Sequence, residues 1–353
     1  MKSDSEKSLG PSYSPDLIPS PATAPDPSRS PSPAHVPSPG AFPAARRAAK
    51  LRRLLRRVRK AAPLTVLAAP GIVLIFVLNY LPMYGLILPF KNYKFNRGFW
   101  GSEWAGLSNF KFLFNGDILA RILRNTIAYN LAFILVGTLA SVAVALLLFE
   151  LSRRATTAYQ TALFIPYFVS WVVASYAVMA ILDFERGSLN KFIELLGLKS
   201  VMWYNEANYW PAIILVVAVW KGLGYSSVIY YAALMGINSE FYEAATIDGA
   251  GRLQKAWHIS VPSIKNIIVM IGIMNVGKIF YSDFGLFYNV PLNSPLLYRT
   301  TDVIDTFVYR SLTAMGDIGM ASAAGFFQSF CGFMLVLATN AAVRKISEES
   351  SLF

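Results

Sequence analysis

Apolar residues gather into six long runs, Leu64–Leu88, Asn125–Phe149, Thr161–Leu182, Pro211–Met235, Asn266–Tyr288 and Ala321–Val343, with polar stretches between them. A helix crosses roughly 30 Å of hydrocarbon in about 20 residues, and every run reaches that length. The first three runs and the last carry no charged residue; the fourth holds Lys221, and the fifth holds Lys278 and Asp283. A membrane barrel would show strands of about ten residues with alternating polarity, a pattern these runs lack. The reading is an all-α membrane protein with six crossings over 64–343.

Composition agrees with that reading. The 353 residues are 55% hydrophobic and 15% charged, against about 25% charged in a soluble domain. Mean hydropathy is +0.44. Net charge is +12. Much of it lies in residues 44–60, where Leu51, Leu54, Leu55 and Val58 mark one helical face and arginines cover the rest. That segment predicts a basic amphipathic helix on an anionic membrane surface. A nucleic-acid arm is disfavoured because the segment runs directly into the first apolar run. Residues 1–43 are rich in Pro and Ser with little to bury, and read as a disordered tail. The single cysteine, Cys331, and two histidines, His35 and His258, argue against a disulfide or a metal site.

Basic residues near the first run place the N-terminus in the cytoplasm. Six crossings bring the C-terminal tail, 344–353, to the same side. The 89–124 loop, basic but outside on this count, resists the rule, so orientation needs a second argument. The loop between the fourth and fifth runs, residues 239–262, supplies one. Ser239 is placed to cap a short helix, with Glu240 and Glu243 at the favourable end of its dipole. Gly249 sits where a left-handed residue would stop that helix. A second helix starts near Gly251 and puts Leu253, Ala256 and Trp257 on one face, and Pro262 closes it. The result is a bent knob on one membrane face.

Glu243-Ala244-Ala245, Gly249-Ala250, Ile259 and Pro262 closely resemble the EAA loop of ABC importer permeases. Asp248 before the glycine resembles the carbohydrate branch, to which maltose permease belongs. Trp257 and Val261 stand where Phe and Leu are frequent, and both keep an apolar group. The stretches 102–114, 300–310 and 316–329, with the C-terminal SSLF, resemble the LplB-like oligo- and polysaccharide branch. The resemblance implies a type I importer permease in the bacterial inner membrane, without an ATP site or cofactor of its own. ATP and Mg²⁺ would be bound by two cytoplasmic ATPase subunits. A second related permease, giving a heterodimer, and an external sugar-binding protein would complete the assembly. Glu243, Ala244, Ala245, Asp248, Gly249, Ala250, Ile259 and Pro262 are the expected ATPase-coupling residues, Glu243 as an ionic contact.

Two further features bear on function. Gly272, Gly277 and Lys278 fall at phosphate-loop spacing, but Ile279 replaces the Mg²⁺-binding hydroxyl and no strand precedes, so the match is fortuitous. Lys221, Lys278 and Asp283 are costly in lipid, about 2.5–3.5 kcal/mol each on insertion scales. They are expected to face a substrate path or a partner chain, Asp283 equally to sit in headgroup water at the outer end of the fifth run, and Trp220, Asn275 and Tyr281 are candidates for the same path. Thr300–Arg310 has helical apolar spacing and reads as an external amphipathic helix, for a delivering protein or the membrane. The competing reading, an ion-coupled secondary transporter, would normally show inverted repeats, and none is found.

Overall fold

The computed structural model describes residues 63, 65–111 and 116–346, the side chains of 342–346 excepted. The expected tail (1–43), basic helix (44–60) and most of the 344–353 tail lie outside the described residues. Contacts divide the chain between Phe76 and Val77. Residues 65–76, the described helical part of the first unit, lie in an apolar helical stretch, Thr65–Phe90, long enough to cross a membrane.

In the second unit a 3₁₀ segment, Leu81–Phe90, leads into an antiparallel hairpin of β1 (Lys91–Asn92) and β2 (Glu103–Trp104). Helices follow: α1 (Asp117–Phe149), α2 (Arg153–Phe168), α3 (Trp171–Leu182), α4 (Ser188–Leu195) and α5 (Trp210–Met235). The remainder is α6 (Ser239–Ile247), α7 (Arg252–Val276), α8 (Phe284–Asn289), α9 (Ile304–Thr313) and α10 (Ile318–Ile346). Among the described residues five helices are long and apolar enough to cross a membrane, six if the α2–α3 pair counts as one span.

That pair corrects the simple crossing expected at 161–182. α2 and α3 are bent by 99°. Pro166 has no N–H to donate in the last turn of α2, and Ser170 caps α3 by accepting from Val173 N at 3.2 Å. A break in an apolar environment exposes carbonyls that water cannot satisfy. Lys221, in the middle of α5, reaches them: its Nζ donates to Pro166 O (3.3 Å), Tyr167 O (2.7 Å) and Val169 O (2.6 Å). The ammonium also lies 5.1 Å from the Trp171 ring centroid. Close backbone approach makes the reach possible, because a Cβ on Gly224 would stand 2.1 Å from Leu163 O. Hydropathy alone says that Lys221→Met should stabilise the chain by about 2.5–3.5 kcal/mol. The structure says the opposite: Tyr167 O and Val169 O lose their donor at about 1–3 kcal/mol each, the Trp171 ring loses its cation, and only Pro166 O keeps a partner, Val169 N at 3.2 Å. Thermal melting in detergent should therefore show the Met variant less stable than wild type.

The fifth crossing also differs from its expected bounds, Asn266–Tyr288. α7 begins at Arg252 and ends at Val276, so Lys278, Tyr281 and Asp283 lie beyond it. Pro262 closes no helix. It sits in the first turn of the segment Val261–Val276, just after a π-helical turn, Ala256–Ser260. A widened turn there relieves the proline ring from the carbonyl of His258. The sixth helix runs through Ile346 rather than stopping at Val343.

Contacts define two faces. Phe149 packs on Tyr242 at 5.4 Å between rings, and Arg252 pairs with Glu150 at 3.4 Å, so the α1–α2 turn and the α6–α7 loop share one face. Beneath them Ala145, Tyr230, Leu234 and Ile264 form a buried cluster. On the other face Phe326 of α10 packs on Phe90 and Phe110, and Asn125 of α1 donates to Asp302 O at 3.0 Å. A core of Trp210, Phe287, Val178 and Leu182 ties α3, α5 and α8 together there.

Candidate functional site: the bent α6–α7 knob

α6 is capped by Asn238, whose Oδ1 accepts from Glu240 N at 3.1 Å, one residue earlier than the expected Ser239. Both are good caps; Asn238 has the extended backbone that the position needs. At the other end Ala250 N donates to Ala245 O (2.8 Å) and Gly249 N to Thr246 O (3.1 Å). This reciprocal pair is a Schellman cap, and it requires a left-handed residue. Gly249 supplies it, at φ +78. α7 starts after Gly251, whose N–H donates to Gln254 Oε1 at 2.8 Å.

Side chains lock the two arms. Lys255 Nζ donates to Thr246 Oγ1 at 2.8 Å, and Tyr242 and Ser260 hydroxyls are 2.9 Å apart. The angle between the arms encloses a notch of about 400 Å³ lined by Ala245, Asp248, Gly249, Ala250, Gln254, Lys255, His258 and Ile259. Five expected coupling residues thus meet in one concavity. Glu243 and Ala244 lie exposed on α6, and Pro262 stands away from the notch in α7. The Glu243 carboxylate has no hydrogen bond or ion pair among the described residues.

The knob also presents apolar side chains to solvent. Ile247 is 87% exposed, Leu253 81%, Trp257 69% and Phe241 62%. Phe241 and Ile247 were not singled out by sequence; their signal was apolar residues on a short, otherwise polar loop helix. Exposed apolar patches rimmed by polar residues mark sites of contact with a protein, a membrane or a ligand.

The expected path residues divide. Lys221 is committed to the α2–α3 break. Asp283 caps α8, accepting from Leu286 N at 3.3 Å, and takes the Trp171 indole N–H at 2.7 Å. Lys221, Trp171 and Asp283 therefore form one brace at the break. Trp220 and Tyr281 are each 45% exposed, and Asn275 and Lys278 are exposed near the end of α7. The structure does not gather these four with the brace into one site.

Thr300–Arg310 is no free amphipathic helix. Ile304 and Phe307 of α9 are buried with Ile122 and Ala324. Asp302, fully buried, accepts from Arg310 (2.5 Å), Arg121 (3.3 Å) and Thr306 (3.2 Å). Nearby, Asp305 accepts from Ser282 N (2.8 Å) and Gln328 (3.1 Å). Burial pushes its carboxyl above the usual carboxylate range, with those donors pulling it back down.

Comparison with known proteins places this architecture. The family described as "Binding-protein-dependent transport system inner membrane component" matches residues 134–348. The chain is 31% identical to protein LplB of Bacillus subtilis (strain 168), covering 81% of this chain and 90% of that one. It is 30% identical to the polygalacturonan/rhamnogalacturonan transport system permease protein YteP of the same organism, over 85% and 93% of the two chains. A chain in the crystal structure of a bacterial alginate ABC transporter, in complex with an alginate pentasaccharide-bound periplasmic protein, superposes with a TM-score of 0.74. That match has 29% identity and covers 83% of this chain and 98% of that one. The chain therefore belongs to the binding-protein-dependent inner membrane components, the permeases of ABC importers.

Proposed function

We propose that this chain is one permease subunit of an ATP-driven importer of oligo- or polysaccharides. The observation that carries the coupling half is the locked knob, bent at Gly249, with a notch, an unpaired Glu243 and four exposed apolar side chains. Two cytoplasmic ATPase subunits, which bind ATP and Mg²⁺, seat these knobs, and this chain pairs with a second related permease. The knob face is cytoplasmic, with both termini on that side. An external binding protein delivers the saccharide at the opposite face. Closure of the ATPases pulls on the knob, reorients the bundle and opens the path outward; hydrolysis returns it inward. The saccharide class rests on the relatives named for rhamnogalacturonan and alginate.

The broken α2–α3 pair is the feature an ion-coupled transporter would use, with free half-helix carbonyls holding the ion. Here Lys221 already occupies those carbonyls, which favours ATP drive. A photo-reactive residue at Ile247 in the assembled complex tests the reading. Irradiation should join this chain to an ATPase subunit, as read by mass spectrometry. An ATPase that co-purifies but is never labelled from Ile247 would refute the docking.

A further inference from the structure

The 3₁₀ segment Leu81–Phe90 and the hairpin that follows it enclose a second concavity, of about 510 Å³, lined by Tyr84, Ile87, Lys91, Phe99, Trp100 and Trp104. It lies on the face opposite the knob and is built from one short stretch of chain. The stretch is rigidly tied. Lys91 and Trp104 are register partners in the hairpin, and Ala105 N donates to Phe90 O at 2.8 Å. Asn109 Nδ2 donates to both Pro89 O and Lys91 O at 2.9 Å. Ser102 Oγ donates to Gly98 O at 2.7 Å and accepts from Lys94 N at 3.0 Å.

The walls are aromatic. Tyr84 and Trp100 meet edge-on at 6.1 Å, and Trp100 and Trp104 are 79% and 70% exposed. Neither of those indole N–H groups has a hydrogen-bond partner among the described residues. Lys91 is only 5% exposed. Its ammonium donates to Phe99 O at 2.7 Å and lies 5.2 Å from the Trp104 ring centroid. Of its three donors one is engaged, and no carboxylate among the described residues lies within ion-pair distance.

Two explanations compete for such a patch. An aromatic belt at the lipid boundary is one. Lysines in such belts extend their ammonium into water, whereas Lys91 holds its ammonium against a main-chain carbonyl with almost none of the residue exposed. A buried cation with spare donors beside the Trp104 indole instead matches a sugar ring that bears a carboxylate. The apolar face of the ring stacks on indole, the carboxylate meets the ammonium, and hydroxyls take the indole N–H groups. Lys94 on the same loop adds long-range attraction for an anionic polymer, whereas Arg97 is paired with Glu103 at 2.5 Å.

The geometry points to a subsite for acidic saccharide, an uronic-acid unit, in the pocket between the 3₁₀ segment Leu81–Phe90 and the hairpin. This rests on the saccharide reading above and narrows it to an anionic ring at a second place on the chain. The test uses the assembled complex, without its binding protein, in phosphatidylcholine nanodiscs, with trigalacturonate and neutral maltotriose as probes. Trigalacturonate should bind saturably, more tightly than maltotriose. Lys91→Met and Trp104→Ala should each weaken it about tenfold or more. Trp104→Ala leaves the Lys91–Phe99 bond in place, so loss in that variant does not require a collapsed hairpin. The subsite is overturned if the wild type shows no saturable binding, or if both variants bind trigalacturonate like wild type. It is equally overturned if the pocket responds only to added phosphatidylglycerol, which would make it a lipid contact. ATP-driven uptake, measured separately, judges the importer reading: unaltered binding in both variants with intact uptake removes the subsite and leaves the importer standing.

Discussion

Gly249→Pro should abolish ATP-driven saccharide uptake while the protein still inserts and assembles. Proline locks φ near −65°, whereas residue 249 stands at φ +78 and donates its N–H to Thr246 O. The substitution removes one bond of the cap and forbids the other, so α6 and α7 lose their fixed angle and the notch between them. Milder changes should grade. A Cβ at 249 meets nothing within 4 Å, so Gly249→Ala carries only the left-handed backbone penalty, about 1–2 kcal/mol. Asn tolerates that conformation better than Ala, and the expected order of uptake is Gly, Asn, Ala, Pro. Glu243→Lys, which leaves the cap intact and reverses a free exposed charge, should likewise uncouple ATP hydrolysis from uptake. Proteoliposome uptake and ATPase assays measure both quantities. Full uptake by the proline variant would mean that the bend transmits nothing.

How far sequence alone reaches is visible at particular residues. The knob was legible because a Glu-Ala-Ala triplet, a glycine at a helix stop and a second helix start all act locally. Its cap moved by one residue, between two side chains of equal capping power, and Pro262 lies inside a continuing helix instead of closing it. The interior was less legible because apolarity hides punctuation. Pro166 and Ser170 are ordinary stop and start signals, but inside a run without charge they read as one crossing. Lys221 was expected to line a path, and it instead satisfies carbonyls more than fifty positions away. Its role depends on Gly224 letting α2 and α5 approach, a pairing no periodicity records. Asp302 is the extreme case: Arg121, one of its partners, is 181 positions distant.

Asp302→Ala should prevent accumulation of folded protein, or lower its melting temperature by on the order of 10 °C. The Asp302 side chain is wholly buried and that of Arg310 only 10% exposed, so truncating the acid strands a buried guanidinium. Breaking such a pair costs about 3–5 kcal/mol, a large share of the 5–15 kcal/mol that holds a domain together. The ring of Tyr298, 4.0 Å from the Arg310 guanidinium carbon, offsets only part of that loss. Asp305, three residues on, predicts the opposite outcome. Its folded-state pKa is raised by burial, so the folded chain binds a proton more readily there than the unfolded chain does. Stability from this group is greatest below the ordinary carboxylate range and declines as pH rises through the raised value. Asp305→Asn keeps an acceptor for Ser282 N and removes the buried charge, so at neutral pH it should melt no lower than wild type. Thermal melts of the two variants at pH 5 and pH 8 distinguish the roles. Equal losses in both would show that burial alone, rather than the ion pair, sets the stability of α9 against α1 and α10.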